Sequence, residues 1–133
     1  MKEFETLEFH VGGYPGPYHT LSMDYTTDQI EVHYNCEGVQ SFIIQEPIEA
    51  ERDNEFIMSA NVTNDFLTEL AACNVDRWKD KYDNKDIYDG TSWQLTINYG
   101  NDKQLTKSGS NKYPTRWNQF IRVLRKYVNT GIG

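Results

Sequence analysis

Four stretches of this chain alternate apolar and polar residues with a period of two, and no other feature of the sequence restricts the fold as strongly. Leu7, Phe9 and Val11 are interleaved with Glu8 and His10. Leu21, Met23 and Tyr25 are interleaved with Ser22 and Asp24, and Ile30, Val32 and Tyr34 with Glu31 and His33. The fourth stretch sets Trp93, Leu95, Ile97 and Tyr99 against Gln94, Thr96 and Asn98. Successive side chains of a strand point to opposite faces, so each stretch reads as a strand with one face in a core and one in water. Antiparallel sheets accept a wet face and parallel sheets rarely do. The core is therefore expected to form on one side of an antiparallel sheet.

Turn signals divide the strands. Thr26-Thr27-Asp28-Gln29 joins the second and third stretches as a β-hairpin. Gly12-Gly13-Tyr14-Pro15-Gly16-Pro17 stops the first. Gly100-Asn101-Asp102 turns the fourth back into a strand over Lys103 to Ser108, followed by a loop at Gly109-Ser110-Asn111. A further strand is expected over Val39 to Ile44, ended by Pro47, and a short one at Phe56-Ile57-Met58.

Helical spacing occurs twice. Phe66, Leu67, Leu70 and Cys73 predict a helix over about 63–74, with Thr63 as N-cap, Asp65 in the first turn and Asn74 at the end. Pro114 stands where a helix can begin without its missing N–H. After it, Trp117, Phe120, Ile121, Leu124 and Val128 make one apolar stripe, with Arg116, Arg122, Arg125 and Lys126 off it. The expected architecture is an α+β domain spanning residues 1–133, an antiparallel sheet with two helices packed on one face. Residues 76–89 are polar, with Trp78 and Tyr82 as the anchors.

Charge is divided unevenly along the chain. Residues 1–100 hold 6 Lys/Arg against 19 Asp/Glu, whereas residues 101–133 hold 7 against 1. The net charge of −7 argues against direct binding of nucleic acid. No apolar stretch is long enough to cross a membrane, and the charged start Met1-Lys2-Glu3-Phe4-Glu5 does not read as a signal peptide. Cys36 and Cys73 are too few for a disulfide framework, so the expectation is a cytoplasmic protein with two reduced thiols.

The chemistry-bearing residues form no catalytic signature. There is no G-x-S-x-G elbow. His10 and His33 fall on polar strand faces, and Cys73 falls on the apolar stripe of its helix. His33-x-x-Cys36 has a tolerable spacing for two metal ligands, with His19 or an aspartate as a further donor, but a structural zinc site needs four. Asp80, Asp83, Asp86 and Asp89 recur every three residues without matching a calcium loop. No cofactor is expected, and an enzyme of unrecognised type using His10, His33 or Cys36 stays an alternative.

Two binding surfaces are candidates. One is acidic: Glu46, Glu49, Glu51, Asp53 and Glu55 crowd one connection, and Asp76, Asp80, Asp83, Asp86 and Asp89 another. If the two meet, they suit a protein partner with a basic, nucleic-acid-binding surface. The other is an anion site before the last helix, where Lys107, Ser110, Asn111, Lys112 and Arg116 could hold a phosphate-bearing or other anionic ligand. The same segment also reads as a turn that starts the helix.

Asp89-Gly90-Thr91-Ser92-Trp93-Gln94-Leu95, Gly109-Ser110-Asn111-Lys112-Tyr113-Pro114, and then Trp117, Phe120 and Leu124 resemble a pattern in small uncharacterised proteins of Firmicute bacteria and their mobile elements. The resemblance covers about residues 78–128 and implies a shared hairpin–loop–helix module, with no activity attached. By type alone, a small acidic chain of this kind is similar to phage-borne inhibitors such as anti-CRISPR proteins, several of which occupy the DNA-binding surfaces of nucleases. The functional expectation is a non-enzymatic acidic protein that inhibits or regulates a basic partner, such as a host-defence nuclease.

Overall fold

Among the described residues, the alternating stretches become the middle of a seven-stranded sheet. The computed structural model describes residues 4–13, 17–37, 52–83 and 90–128. In chain order the elements are β1 (Thr6–Gly12), β2 (Tyr18–Thr26), β3 (Gln29–Glu37), β4 (Arg52–Met58), α1 (Ala60–Ala71), β5 (Lys81–Asp83), β6 (Ser92–Gly100), β7 (Lys103–Ser110) and α2 (Trp117–Tyr127). The strand order is β4-β3-β2-β1-β6-β7-β5. Every pairing is antiparallel except that of β5 with β7. The α+β class is the one expected from the sequence.

Register collects the apolar half of each alternation on one face. Leu7 pairs with Met23 and Ile97, Phe9 with Leu21 and Leu95, and Val11 with His19 and Trp93. All of these residues are buried. Two tight turns hold the register. Thr27 and Asp28, and then Asn101 and Asp102, all have positive φ, the backbone that two-residue hairpin loops require because it matches the twist of the strands.

The stripe of α2 packs on this face. Phe9 meets Phe120 at 5.1 Å and Trp117 at 5.7 Å between ring centroids. Trp93 meets Trp117 at 4.8 Å, and Trp78 packs edge-on against both Trp93 and Phe120. α1 joins through Phe66, whose ring meets Tyr127 of α2 at 5.5 Å. Trp78 is buried and Tyr82 half-buried, as expected of anchors.

Several boundaries differ from the sequence expectation. α1 covers Ala60–Ala71 and is capped by Ser59, whose hydroxyl accepts from the Val62 N–H at 3.3 Å. Thr63, expected as the cap, is buried inside the helix. The helix starts earlier because Ser59 is the one residue between it and β4, so the cap falls at the strand end. Asn74 still marks the exit, with φ of 50°. β4 begins at Arg52, so Asp53 and Glu55 belong to a strand and not to an acidic connection. β7 runs to Ser110, because Ser110 pairs with both Ser92 and Asp83; the loop expected at Gly109 is strand. The short parallel strand β5 had no signal in the polar segment that contains it. The strand expected over Val39 to Ile44 lies outside the described residues.

Gly109 is fixed by this packing. A Cβ there would collide with Trp93 Nε1 and with the Lys112 carbonyl, the two atoms joined by the indole hydrogen bond of 3.0 Å. Gly109→Ala should therefore cost about 1–3 kcal/mol through overpacking. Urea denaturation followed by tryptophan fluorescence measures it.

Candidate functional site

The polar half of the alternation forms the opposite face of the sheet. Glu31 on β3 lies directly across from Asp24 on β2 and, on its other side, from Ile57 on β4. In the adjacent row, Glu55, His33, Ser22 and Glu8 follow one another across β4, β3, β2 and β1. Glu8, Asp24, Glu31, His33 and Glu55 are exposed, and Ile57 is 60% exposed. Directly opposed residues have Cβ atoms about 4.5–5.5 Å apart, so two adjacent rows hold four carboxylates and one apolar side chain. His33 Nδ1 is 3.8 Å from Glu55 Oε1 at the surface, a contact worth little in water. Asp24 opposite Glu31 is a like-charge pair, and such pairs weaken a sheet by a few tenths of a kcal/mol, up to about 1.

Four cations of the C-terminal third lie on the other layer. Arg116, Arg122, Arg125 and Lys126 are exposed on or beside α2, the helix that packs on the apolar face. Lys126 bonds Glu69 of α1 at 3.0 Å, and the Tyr127 hydroxyl donates to the same carboxylate. Among the described residues, these four cations and the four carboxylates of the two rows thus lie on opposite sides of the sheet.

The expected acidic residues are distributed differently. Glu46, Glu49, Glu51, Asp86 and Asp89 lie outside the described residues, and Asp53 occupies the β4 position opposite Asn35. Asp76 is exposed in the short 3-10 helix Val75–Arg77 that follows α1, and Asp83 on β5 pairs with Ser110. Among the described residues β4 and β5 are the two outermost strands of the sheet. Six strand spacings of about 4.8 Å separate them, so Glu55 and Asp83 do not form one cluster. Glu55 instead joins Glu8, Asp24 and Glu31, which the sequence reading left unassigned. Their signal was present: each occupies a polar position of an alternating strand.

The anion candidates are engaged by the protein. Lys107 is buried and donates to Asp80 Oδ1 at 2.8 Å. Asn111 has φ of 56°; its Oδ1 accepts from the Thr91 N–H, and its own N–H donates to the Thr91 carbonyl, both at 2.8 Å. Arg116 donates to Gln119 Oε1 at 3.1 Å and to the Ala72 carbonyl at 3.4 Å. Lys112 is exposed while its carbonyl holds Trp93, and Ser110 ends β7 half-buried. This segment braces β6, β7 and α2 against one another.

The candidate nucleophiles are poorly placed for chemistry. Burial pushes the Cys73 thiol up to about 11, with Arg116 opposing and Glu69 adding to the shift. It is protonated at neutral pH, and the thiolate is the nucleophile. Cys36 is buried whereas His33 is exposed. Three residues apart on a strand, their side chains leave opposite faces and cannot share a metal. Among the described residues no group of three or more His, Cys, Asp or Glu could hold a metal ion. His10 is exposed, with Nδ1 3.4 Å from Thr20 Oγ1. Cys36 and Cys73 are both free thiols, and no helix among the described residues is long and apolar enough to cross a membrane.

His19 has a structural place that its sequence context hid. It lies on the apolar face opposite Cys36, with Nδ1 2.6 Å from the hydroxyl of fully buried Tyr34. Burial, and then the positive charge of Arg125, lowers its pKa from 6.5. The unfolded chain takes up this proton near pH 6.5, whereas the folded protein does so only at lower pH. Below about 6.5 the unfolded state therefore binds more protons, and stability falls with pH until the folded pKa is passed. Urea unfolding should show this loss as pH falls below about 7.5, with a flatter profile for His19→Gln.

Compared with protein-family models, with curated proteins and with solved structures, the chain finds no match.

Proposed function

We propose that this chain is a non-enzymatic cytoplasmic binding protein that docks the open face of its sheet, through strands β1 to β4, on a basic protein surface. A nucleic-acid-binding nuclease is the partner class with suitable charge, and occupying its DNA groove would inhibit it, in the manner of phage or mobile-element inhibitors. The observation that carries the reading is the exposed quartet Glu8, Asp24, Glu31 and Glu55, with Asp24 and Glu31 directly opposed. A partner's Arg or Lys would relieve that repulsion, and exposed Ile57 beside it supplies apolar contact. The buried, protonated Cys73 and the divergent His33 and Cys36 support a binding role over nucleophilic chemistry.

The repulsion makes a separate prediction in the free protein. Asp24→Thr should raise stability by about 0.5 kcal/mol and the melting temperature by about 2 °C. The gain should shrink in about 1 M salt as screening grows. Differential scanning calorimetry at low and high salt checks it.

Binding is tested with a panel of basic bacterial nucleases, scored by inhibition of DNA cleavage and by co-elution. A target of the intact protein should be released as ionic strength rises past about 0.15 M. The combined variant Glu8→Gln, Asp24→Asn, Glu31→Gln, Glu55→Gln should inhibit it at least roughly tenfold less well, as loss of charge-assisted contacts predicts. Equal inhibition by this variant, with its fold intact by circular dichroism, would sink the reading.

A further inference from the structure

A cavity of about 380 Å³ opens where the end of β6 and the start of β7 face the C-terminal half of α1. It lies among core-side residues, away from the open acidic face. Its floor is apolar: Phe4, Leu67, Leu70, Val75 and Ile97 line it, and all five are buried. Three polar side chains border it, namely half-buried Tyr99 and exposed Asp76 and Lys103. Among the described residues neither Asp76 nor Lys103 has an ion-pair partner. Burial raises the Tyr99 pKa, and the next cause is the Asp76 charge, so the carboxylate is felt at the phenol. An apolar pocket of this size with a few convergent polar groups is the usual form of a small-molecule site.

The two charges select the occupant. A fatty acid could satisfy Lys103 but would bring its carboxylate towards Asp76. A simple amine could satisfy Asp76 but would bring its charge towards Lys103. A ligand with an apolar body and both charges on one carbon satisfies the floor and the mouth together. We propose that this cavity binds a free apolar α-amino acid, with its side chain on Leu67, Leu70 and Ile97, its ammonium at Asp76 and its carboxylate at Lys103. The Tyr99 hydroxyl then donates to the ligand carboxylate. The site is independent of the docking face and stands whether or not that face binds a nuclease.

The test is calorimetric titration of the full chain with L-phenylalanine and L-leucine, set against phenethylamine and 3-phenylpropionate. At least one amino acid should bind saturably, and each one-charge analogue should bind at least roughly tenfold more weakly than phenylalanine, as loss of a charged contact predicts. Asp76→Asn and Lys103→Gln change exposed side chains, so both should stay folded by circular dichroism while binding weakens by a similar factor. Ala71→Phe, which fills the cavity from α1, should block binding with both charges in place. No saturable binding of either amino acid overturns the proposal. So does equal binding of the one-charge analogues, or unchanged binding by the folded Asp76→Asn and Lys103→Gln variants.

Discussion

The packing of Phe9 against Trp117 and Phe120 is the contact on which the rest of the structure depends. Phe9 lies on β1, the central strand of seven, and the two rings it meets belong to the last helix. Through this contact β1 and α2 close the core. Trp93 and Trp78 extend it into one aromatic cluster. Offset and edge-to-face ring pairs add about 0.5–1.5 kcal/mol each beyond the area they bury. With the apolar face fixed in this way, the polar face of the same strands is left to water.

That division decides where charge can go. Carboxylates at polar strand positions are held at pleat spacing, side by side, by backbone pairing they cannot escape. A loop could let like charges drift apart; a strand cannot. Cations at the non-stripe positions of α2 are held on the opposite layer for a parallel reason, since the stripe of Phe120, Ile121 and Leu124 turns them away from the core. The four carboxylates of the strands and the four cations on or beside α2 therefore lie on opposite sides of the sheet. The two proposed sites occupy different environments: a broad acidic surface suited to a protein, and a small apolar cavity suited to a metabolite.

Strands β1, β2, β3 and β6 were legible because apolar and polar residues alternate along them, and three of the four positive-φ positions in the two tight turns are Asp or Asn, with Thr27 the exception. The stripe of α2 was legible for the same kind of reason. The start of α1 was not, because Ser59 and Thr63 are both cap-forming types and the end of β4 at Met58 is what places the cap at Ser59. The parallel strand β5 was hidden because Lys81-Tyr82-Asp83 is too short and too polar to show a period. The candidate site was half legible. Glu55 was singled out with its neighbours in sequence, while its neighbours in space, Glu31, Asp24 and Glu8, looked like ordinary solvated positions.

What the sequence determined by itself was local: which stretches extend, which coil, which side of each is apolar, and where the chain must turn. Those properties depend on residues within a few positions of one another. The tertiary structure decided everything that depends on order across the sheet. It placed β4 and β5 at opposite ends of the described strand order, which separated Glu55 from Asp83, and it set β3 beside β2 in the register that opposes Glu31 to Asp24. It engaged Lys107 with Asp80 and His19 with Tyr34, pairs that lie far apart in the chain. Register and strand order are long-range properties, fixed when the whole apolar face is buried at once, and no local window of the sequence contains them.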